Sequence, residues 1–257
     1  MDLEFFIMSH ATLSPSSFPR WKECPASPRM IKEFGGGYTV GIPAATGTLI
    51  HEMCEMLLKG RLNNMSLEEY WLGKVQVVED FEIEVDQDMI DCANVYVEYI
   101  RARAEALGGT LLIEERVFMD EISPDVWGTA DAIIIGEKVL EIVDLKSGKW
   151  AVDAHDNGQL KIYALGALSR YSSRYKDEDI EVMMTIVQPR GWHKDGIIRS
   201  SSTTATNLVN WGFEVLKPAA EACFEENPQY NPSKETCKFC DAKANCDAYK
   251  NTLGEKK

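Results

Sequence analysis

Long apolar runs are missing from this 257-residue sequence, in which no stretch approaches the roughly 18 consecutive apolar residues that a membrane-spanning helix needs. Residues 1–10 carry two acids ahead of a very short apolar run, whereas a secretory signal begins with basic residues and has a longer apolar core. The sequence therefore predicts a protein that is neither exported nor embedded in a membrane, with the cytoplasm as its expected location.

Basic residues are also scarce, with 27 lysines and arginines against 41 acids and a formal net charge of −14. This balance disfavours tight non-specific binding to nucleic acid, because contacts to phosphates supply most of that affinity. The excess is local, since residues 74–125 hold 14 acids and 4 bases, a net of −10 out of −14. Basic clusters elsewhere, such as Arg190, Lys194 and Arg199, are compatible with an enzyme that acts on DNA.

The seven cysteines do not form the even set typical of a disulfide framework, and a chain of this length can form a core without one. Three of them are clustered as Cys237-x2-Cys240-x5-Cys246. Clustered thiols in a chain with no sign of export are typical of metal binding in a reducing compartment. Three others fall at apolar positions of predicted helices and are interpreted as buried core thiols: Cys54, Cys92 and Cys223.

Hydrophobic periodicity divides most of the chain into helices and short strands. Three consecutive β-rich runs with tight turns between them predict an antiparallel meander, and a fourth strand follows after a helix. Helices are expected over residues 46–59, 88–107, 153–171 and 202–224, and strands over 111–119, 129–135, 139–146 and 180–188. This order predicts an α/β sandwich with an added cysteine-rich module.

An acid and a lysine stand two residues apart at the end of the third predicted strand, as Asp144-Leu145-Lys146. Side chains alternate along a strand, so the two charges lie on one face. A hairpin can bring Asp131, on the neighbouring strand, next to Asp144. Two adjacent carboxylates repel each other unless a cation lies between them, and oxygen ligands favour Mg²⁺ or Mn²⁺. For an isolated Asp-x-Lys, an exposed strand edge is the alternative interpretation.

Four motifs follow one another in order: Gly47-Thr48-Leu49-Ile50-His51, Gly128-Thr129-Ala130-Asp131, Asp144-Leu145-Lys146 and Gln159-Leu160-Lys161-Ile162-Tyr163. This set resembles the RecB-like branch of the PD-(D/E)XK nuclease superfamily, with Ala130 where the superfamily name places proline. The resemblance covers roughly residues 13–250. It implies a restriction-endonuclease-like α/β core, in which a mixed central sheet is flanked by helices.

The same resemblance implies a role for each motif residue. The metal ligands would be His51, Asp131, Asp144 and the Leu145 carbonyl, and the catalytic residues Asp131, Asp144 and Lys146. Gln159 and Tyr163, four apart on one helix face, would line the DNA path. Four acids are second-rank candidates for the site: Glu52, Glu55, Glu114 and Glu115. For Glu114 and Glu115, on the strand before Asp131, a solvated strand face is the favoured interpretation.

The cysteine cluster needs a fourth ligand to complete either a zinc site or a cubane iron–sulfur cluster, and Cys24 is the natural candidate. One cysteine before the core and three after it resemble the arrangement in the iron–sulfur subgroup of RecB-like nucleases, which includes AddB and the CRISPR-adaptation nucleases. By this resemblance, a 4Fe–4S cluster is held by Cys24, Cys237, Cys240 and Cys246. Zinc (Zn²⁺) is the alternative.

The resemblance implies a single nuclease domain over residues 1–257, with the core at 46–200 and the cluster module formed by 11–34 and 228–250. The opening residues are also similar to those of phage-encoded members. The implied function is a DNA exonuclease of phage or bacterial recombination, replication or repair, located in the host cytoplasm if phage-encoded. Its implied partners are DNA and a recombination or single-strand-annealing protein. The alternative is a catalytically silent nuclease-fold DNA-binding or adaptor protein with a structural metal cluster.

Overall fold

The structure, a computed structural model, describes residues 11–35, 41–175 and 179–254. The export prediction depends on residues 1–10, which lie outside the described residues. Within these ranges the helices are α1 (Phe18–Glu23), α2 (Ser27–Phe34), α3 (Ile42–Leu58), α4 (Leu67–Trp71), α5 (Gln87–Ala106), α6 (Gly158–Tyr171), α7 (Ala205–Trp211), α8 (Lys217–Ala222) and α9 (Asp247–Thr252). The strands are β1 (Val75–Val78), β2 (Phe81–Glu84), β3 (Thr110–Phe118), β4 (Trp127–Ile135), β5 (Val139–Leu145), β6 (Glu181–Val187) and β7 (Ile198–Thr204).

Five of the strands form the central sheet, in the order β3-β4-β5-β6-β7. The first three are successive antiparallel neighbours, β5 and β6 are parallel, and β7 is antiparallel to β6. A parallel pair needs a crossover connection, which here contains α6. The predicted meander is confirmed, and so is the α/β class with a mixed central sheet flanked by helices.

The two faces of the sheet are covered by different helices, as the alternation along β4 shows. Ile133 and Ile135 belong to a buried cluster with α6, whereas Ala132 and Ile134 belong to a second cluster with α3 and α5. The sheet is therefore a layer between two groups of helices. No helix in the described part of the chain is both long and apolar enough to cross a bilayer.

The helix predicted over 202–224 is wrong at its start. Ile198–Thr204 form the edge strand β7, and the helical region begins at Ala205 and passes through a π-helical segment at Gly212–Leu216. Because β7 has Ile198 as its only apolar residue, no hydrophobic alternation marks it as a strand.

The helix predicted over 153–171 begins later, at Gly158. Asn157 caps α6 by accepting a hydrogen bond from the Leu160 backbone N–H, and this cap fixes the start. The short β1–β2 hairpin has no counterpart among the predicted elements.

A fully buried glutamate joins α5 to the central sheet. Glu141 on β5 is 0% exposed, and its carboxylate receives Arg103 Nε at 2.8 Å and Arg103 Nη2 at 2.7 Å. The Tyr99 hydroxyl and the Thr185 hydroxyl each donate to Glu141 Oε1 at 2.8 Å. Both oxygens of the buried Glu141 carboxylate therefore have a hydrogen-bond donor, as burial of a carboxylate requires.

Candidate active site

The two predicted catalytic aspartates come from neighbouring antiparallel strands. The β4–β5 pairing ends at Ala132 opposite Val143, and Asp131 and Asp144 are the next residues on the two strands. The Leu145 backbone N–H donates to Asp131 Oδ2 at 2.7 Å, which fixes the carboxylate against the end of β5. Asp144 is 2% exposed. The sheet therefore holds two carboxylates together in a largely buried position.

Lys146 is held by the second aspartate and by α6. Its Nζ lies 2.8 Å from Asp144 Oδ2 and donates to Gln159 Oε1 at 2.9 Å. The Gln159 amide donates in turn to Asp144 Oδ1 at 3.1 Å and to the Tyr163 hydroxyl at 3.2 Å. The structure thus brings Asp144, Lys146, Gln159 and Tyr163 into one polar network.

Two glycines of the motifs permit this close assembly. A Cβ on Gly128 would lie 2.8 Å from the Tyr163 ring and 2.9 Å from Pro15, and a Cβ on Gly47 would lie 2.9 Å from the Ser147 hydroxyl. Helices α3 and α6 therefore approach the strand ends more closely than a larger residue allows at either position.

His51 lies on α3, which covers the face of the sheet opposite to α6, and its side chain approaches Asp131. Its Nδ1 lies 3.5 Å from Asp131 Oδ1. Donor atoms of His51, Asp131 and Glu114 all lie within 4.8 Å of one another, so one nitrogen and two carboxylates could hold a metal ion. This donor set suits Mn²⁺ or Mg²⁺.

Glu114 is the site residue for which the sequence favoured the wrong interpretation. Its side chain faces His51 and Asp131 instead of lying on a solvated strand face. The residue adopts φ of 53°, which is rare for glutamate, and the β3–β4 pairing is interrupted there, between Ile113 opposite Ala132 and Glu115 opposite Ala130. Such local strain is concentrated at functional sites. No sequence pattern marks a left-handed glutamate within a strand.

Of the other second-rank acids, Glu52 is exposed, and Glu115 and Glu55 have partners outside the site. Glu115 accepts from the Tyr171 hydroxyl at 2.9 Å, and Arg170 Nη1 lies 2.6 Å from the same carboxylate. Glu55 pairs with Lys59 at 2.8 Å.

Charges within the site shift several pKa values. Burial lowers the pKa of His51, but the Asp131 carboxylate outweighs that effect and the net pKa is raised to about 9. Burial and then repulsion from Asp131 raise the pKa of Glu114 to about 7. Burial raises the pKa of Asp144 to about 6, although Lys146 acts in the opposite direction. At neutral pH, His51 without metal carries a proton that a metal ion has to displace.

The four clustered cysteines come together from both ends of the described chain. Cys24, at the end of α1, lines one small cavity with Cys237, Cys240 and Cys246. Cys24 Sγ accepts a hydrogen bond from the Asn231 backbone N–H at 3.5 Å, and burial raises the pKa of its thiol. The predicted buried core thiols are confirmed as buried: Cys54, Cys92 and Cys223.

Backbone contacts join the same two segments beside the cysteines. The Ala26 N–H donates to the Gln229 carbonyl at 3.1 Å, and the Asn245 side chain donates to the Phe34 carbonyl at 3.2 Å. Arg29 donates to two carbonyls just beyond α8, at 2.8 and 2.9 Å. The two segments are therefore docked on each other by protein contacts as well as by the shared cysteine cavity.

The fold and the site define a class: an α/β protein whose mixed sheet carries a carboxylate–lysine site. Residues 10–255 match the family model DUF2800, which is described as a protein of unknown function. The match spans nearly the whole chain, and the protein belongs to this family.

Two solved structures are similar at low identity. The crystal structure of SSO0001 is 14% identical in sequence, with coverage of 95% of this chain and 90% of that chain and a TM-score of 0.43. An alkaline exonuclease from Laribacter hongkongensis (LHK-Exo) is 10% identical, with coverage of 80% and 92% and a TM-score of 0.27. At such scores neither similarity assigns a function to this chain. The iron–sulfur branch and a phage source stay predictions.

Proposed function

We propose that this protein is a metal-dependent DNA nuclease. The observation that carries the proposal is the position of Lys146, which is held between Asp144 and Gln159 beside the Asp131–His51 pair. A half-buried lysine paired with a buried carboxylate is weak evidence for a stabilising role, because apolar residues of similar volume often stabilise such a position as well or better. It is well placed for a reaction that develops negative charge, such as phosphodiester hydrolysis.

The residues that would hold the metal are His51, Asp131, Asp144 and the Leu145 carbonyl, with Glu114 as a further ligand. When bound, Mg²⁺ or Mn²⁺ polarises the phosphate and lowers the pKa of a coordinated water. The donor chemistry fits, because these are oxygen ligands with one imidazole.

Lys146 has the role of positioning the attacking water and of balancing charge on the phosphate oxygens. Water attacks phosphorus, the bond from phosphorus to the leaving oxygen breaks, and the products are a phosphomonoester and a free hydroxyl. Gln159 fixes the positions of Lys146 and Asp144 relative to each other, because it is hydrogen-bonded to both. Tyr163 is 7% exposed, so we assign it a positioning role through Gln159 and leave the direct DNA contact to Gln159.

The parent protein is expected to digest linear DNA with Mg²⁺ or Mn²⁺ and to stop when EDTA is added. Asp131→Asn keeps the size of the side chain but removes charge next to His51, so digestion should fall by more than about 100-fold. Gel analysis of labelled DNA measures both. An exonuclease degrades end-labelled linear DNA and spares closed circular DNA.

Asp120→Asn is the matched control, because Asp120 is exposed and lies outside the network. It should digest DNA like the parent. If the parent binds DNA but digests none with either cation, the catalytically silent DNA-binding or adaptor function replaces the nuclease.

We also propose that the cysteine module binds an iron–sulfur cluster, with zinc as the alternative. Tetrahedral zinc with bonds of about 2.3 Å requires sulfurs roughly 3.8 Å apart. Among the cysteines of the described ranges, no three sulfur atoms lie within 4.8 Å of one another. What supports a bound cluster is that Cys24, Cys237, Cys240 and Cys246 line one small cavity, and metal analysis decides between iron and zinc.

Anaerobically purified protein is therefore expected to be brown and to contain iron and acid-labile sulfide. Cys246→Ala should lose the iron because it removes a ligand, whereas Cys92→Ala, which removes a buried core thiol, should keep it. Metal and sulfide analysis measures the difference. A colourless parent with stoichiometric zinc contradicts the cluster.

A further inference from the structure

Two large aromatic rings lie on the surface around one lysine. Trp150 is 80% exposed and Phe239 is 72% exposed. Lys238 Nζ lies 4.6 Å from the centroid of the Trp150 ring and 5.0 Å from that of Phe239. Burial of large aromatic rings contributes more to stability than burial of most side chains, yet both of these rings are exposed beside a cation.

The backbone around Trp150 is fixed although its side chain is in solvent. Gln188 is fully buried, and its amide donates to the Gly148 carbonyl at 2.8 Å and to the Trp150 carbonyl at 2.7 Å. Its amide oxygen accepts from the Val152 N–H at 3.1 Å and from Arg199 Nη2 at 2.6 Å. The loop that carries Trp150 is therefore held in one place by a buried side chain whose polar atoms are all bonded.

The second ring is held by the cysteine module. Phe239 and Lys238 are the two residues between Cys237 and Cys240, and Arg20 Nη1 donates to the Phe239 carbonyl at 2.9 Å. Segments from both ends of the described chain therefore position this side of the aromatic pair.

The pair lies close in sequence to the candidate active site. Trp150 follows Lys146 by four residues, a span of at most about 14 Å. Residues 146–150 contain Lys146 and Lys149 and no acid, in a chain with a net charge of −14. Because Lys146 is paired with Asp144, the free positive charge on this surface comes from the exposed Lys149 and from Lys238 beside the two rings. A basic and aromatic surface suits phosphates joined to unpaired bases.

We propose that Trp150, Lys238 and Phe239 form a stacking site for unpaired nucleotides at a DNA end. The bases stack on the two rings, and the lysine between them neutralises a phosphate. This inference rests on the proposed nuclease function, for which it names the substrate form: a single-stranded end beside the Asp144–Lys146 network.

Binding of an oligothymidylate to the full-length protein, measured by fluorescence anisotropy in EDTA so that no cleavage occurs, tests the site. Trp150→Ala and Phe239→Ala should each weaken binding by about 5- to 100-fold, whereas Trp150→Phe should keep most of it. Binding of blunt duplex should change by less than about twofold. The DNA-induced quenching of intrinsic tryptophan fluorescence should disappear in Trp150→Ala.

Phe213→Ala is the matched control, because it removes an exposed ring from the π-helical segment and should bind like the parent. Unchanged oligothymidylate binding by Trp150→Ala and Phe239→Ala overturns the inference. So does an oligomeric state of these variants that differs from the parent's, because it would assign the rings to a protein interface. A parent that digests no DNA but still binds single strands through Trp150 contradicts the proposed function alone.

Discussion

Lys146→Met is expected to reduce DNA hydrolysis by about 10²- to 10³-fold while Mn²⁺ affinity stays the same or increases. The lysine is not a proposed ligand, and its ammonium competes with a metal ion for Asp144 Oδ2, from which it lies 2.8 Å away. Methionine keeps the unbranched shape and removes the charge. Catalysis and metal binding should therefore separate in this variant, because only the former depends on a cation near the phosphate.

Asp144→Asn provides the contrast, since it removes a proposed ligand and should lose both metal binding and hydrolysis. Single-turnover digestion with calorimetric Mn²⁺ titration measures the two quantities for each variant. Lys161→Met is the matched control on α6, where Lys161 pairs with the exposed Asp156. If Lys146→Met digests DNA at the parent's rate, the catalytic assignment of Lys146 is wrong.

Arg103→Met is expected to lower the free energy of unfolding by about 3 kcal/mol. The substitution removes the cation from Glu141, which is 0% exposed and bonded to Arg103 at 2.7 to 2.8 Å. Tyr99 and Thr185 donate to only one of the two oxygens, so the other oxygen is left charged and buried. The cost comes from that uncompensated charge more than from the pair itself.

Urea denaturation followed by circular dichroism measures this loss. Arg103→Met combined with Glu141→Gln should regain part of it, because the buried charge is then removed as well. Arg101→Met, which removes an exposed arginine from the same helix, should change stability by no more than about 0.5 kcal/mol. An Arg103→Met variant as stable as the parent would show that Glu141 is held by its neutral donors alone.

Apolar periodicity and turn residues were sufficient to predict much of the fold. Helices α3 and α5 and strands β3 to β6 lie within a few residues of their predicted bounds, because each has apolar residues at the period of its element. Strand β7 lies outside that signal, since its serines and threonines are stabilised by pairing with β6 and not by side-chain burial. A strand that is stabilised mainly by backbone pairing with its neighbour has no hydrophobic pattern by which its own sequence could predict it.

Some residues of the candidate site could likewise be predicted from local sequence patterns, and others could not. The alternation of Asp144 and Lys146 on one strand face is local and could be predicted, and the spacing of Gln159 and Tyr163 follows from the helix. Glu114 depends on a left-handed backbone angle within β3, which only the packed sheet imposes. The closeness of Trp150 to Phe239 joins residues 89 apart and likewise needs the folded chain.

The docking of residues 11–35 on the C-terminal segment has a consequence for how the chain folds. The contact between Cys24 and Asn231 spans 207 residues, so the cost of closing this loop is met only late in folding. At about 5–20 residues per second, ribosomal synthesis of that interval takes roughly 10 to 40 s. Throughout that time the backbone carbonyl of Trp21, which accepts a hydrogen bond from Cys223 Sγ in the finished protein, lacks that donor. The earliest of the described helices thus completes its native contacts only after the C-terminal segment has been synthesised.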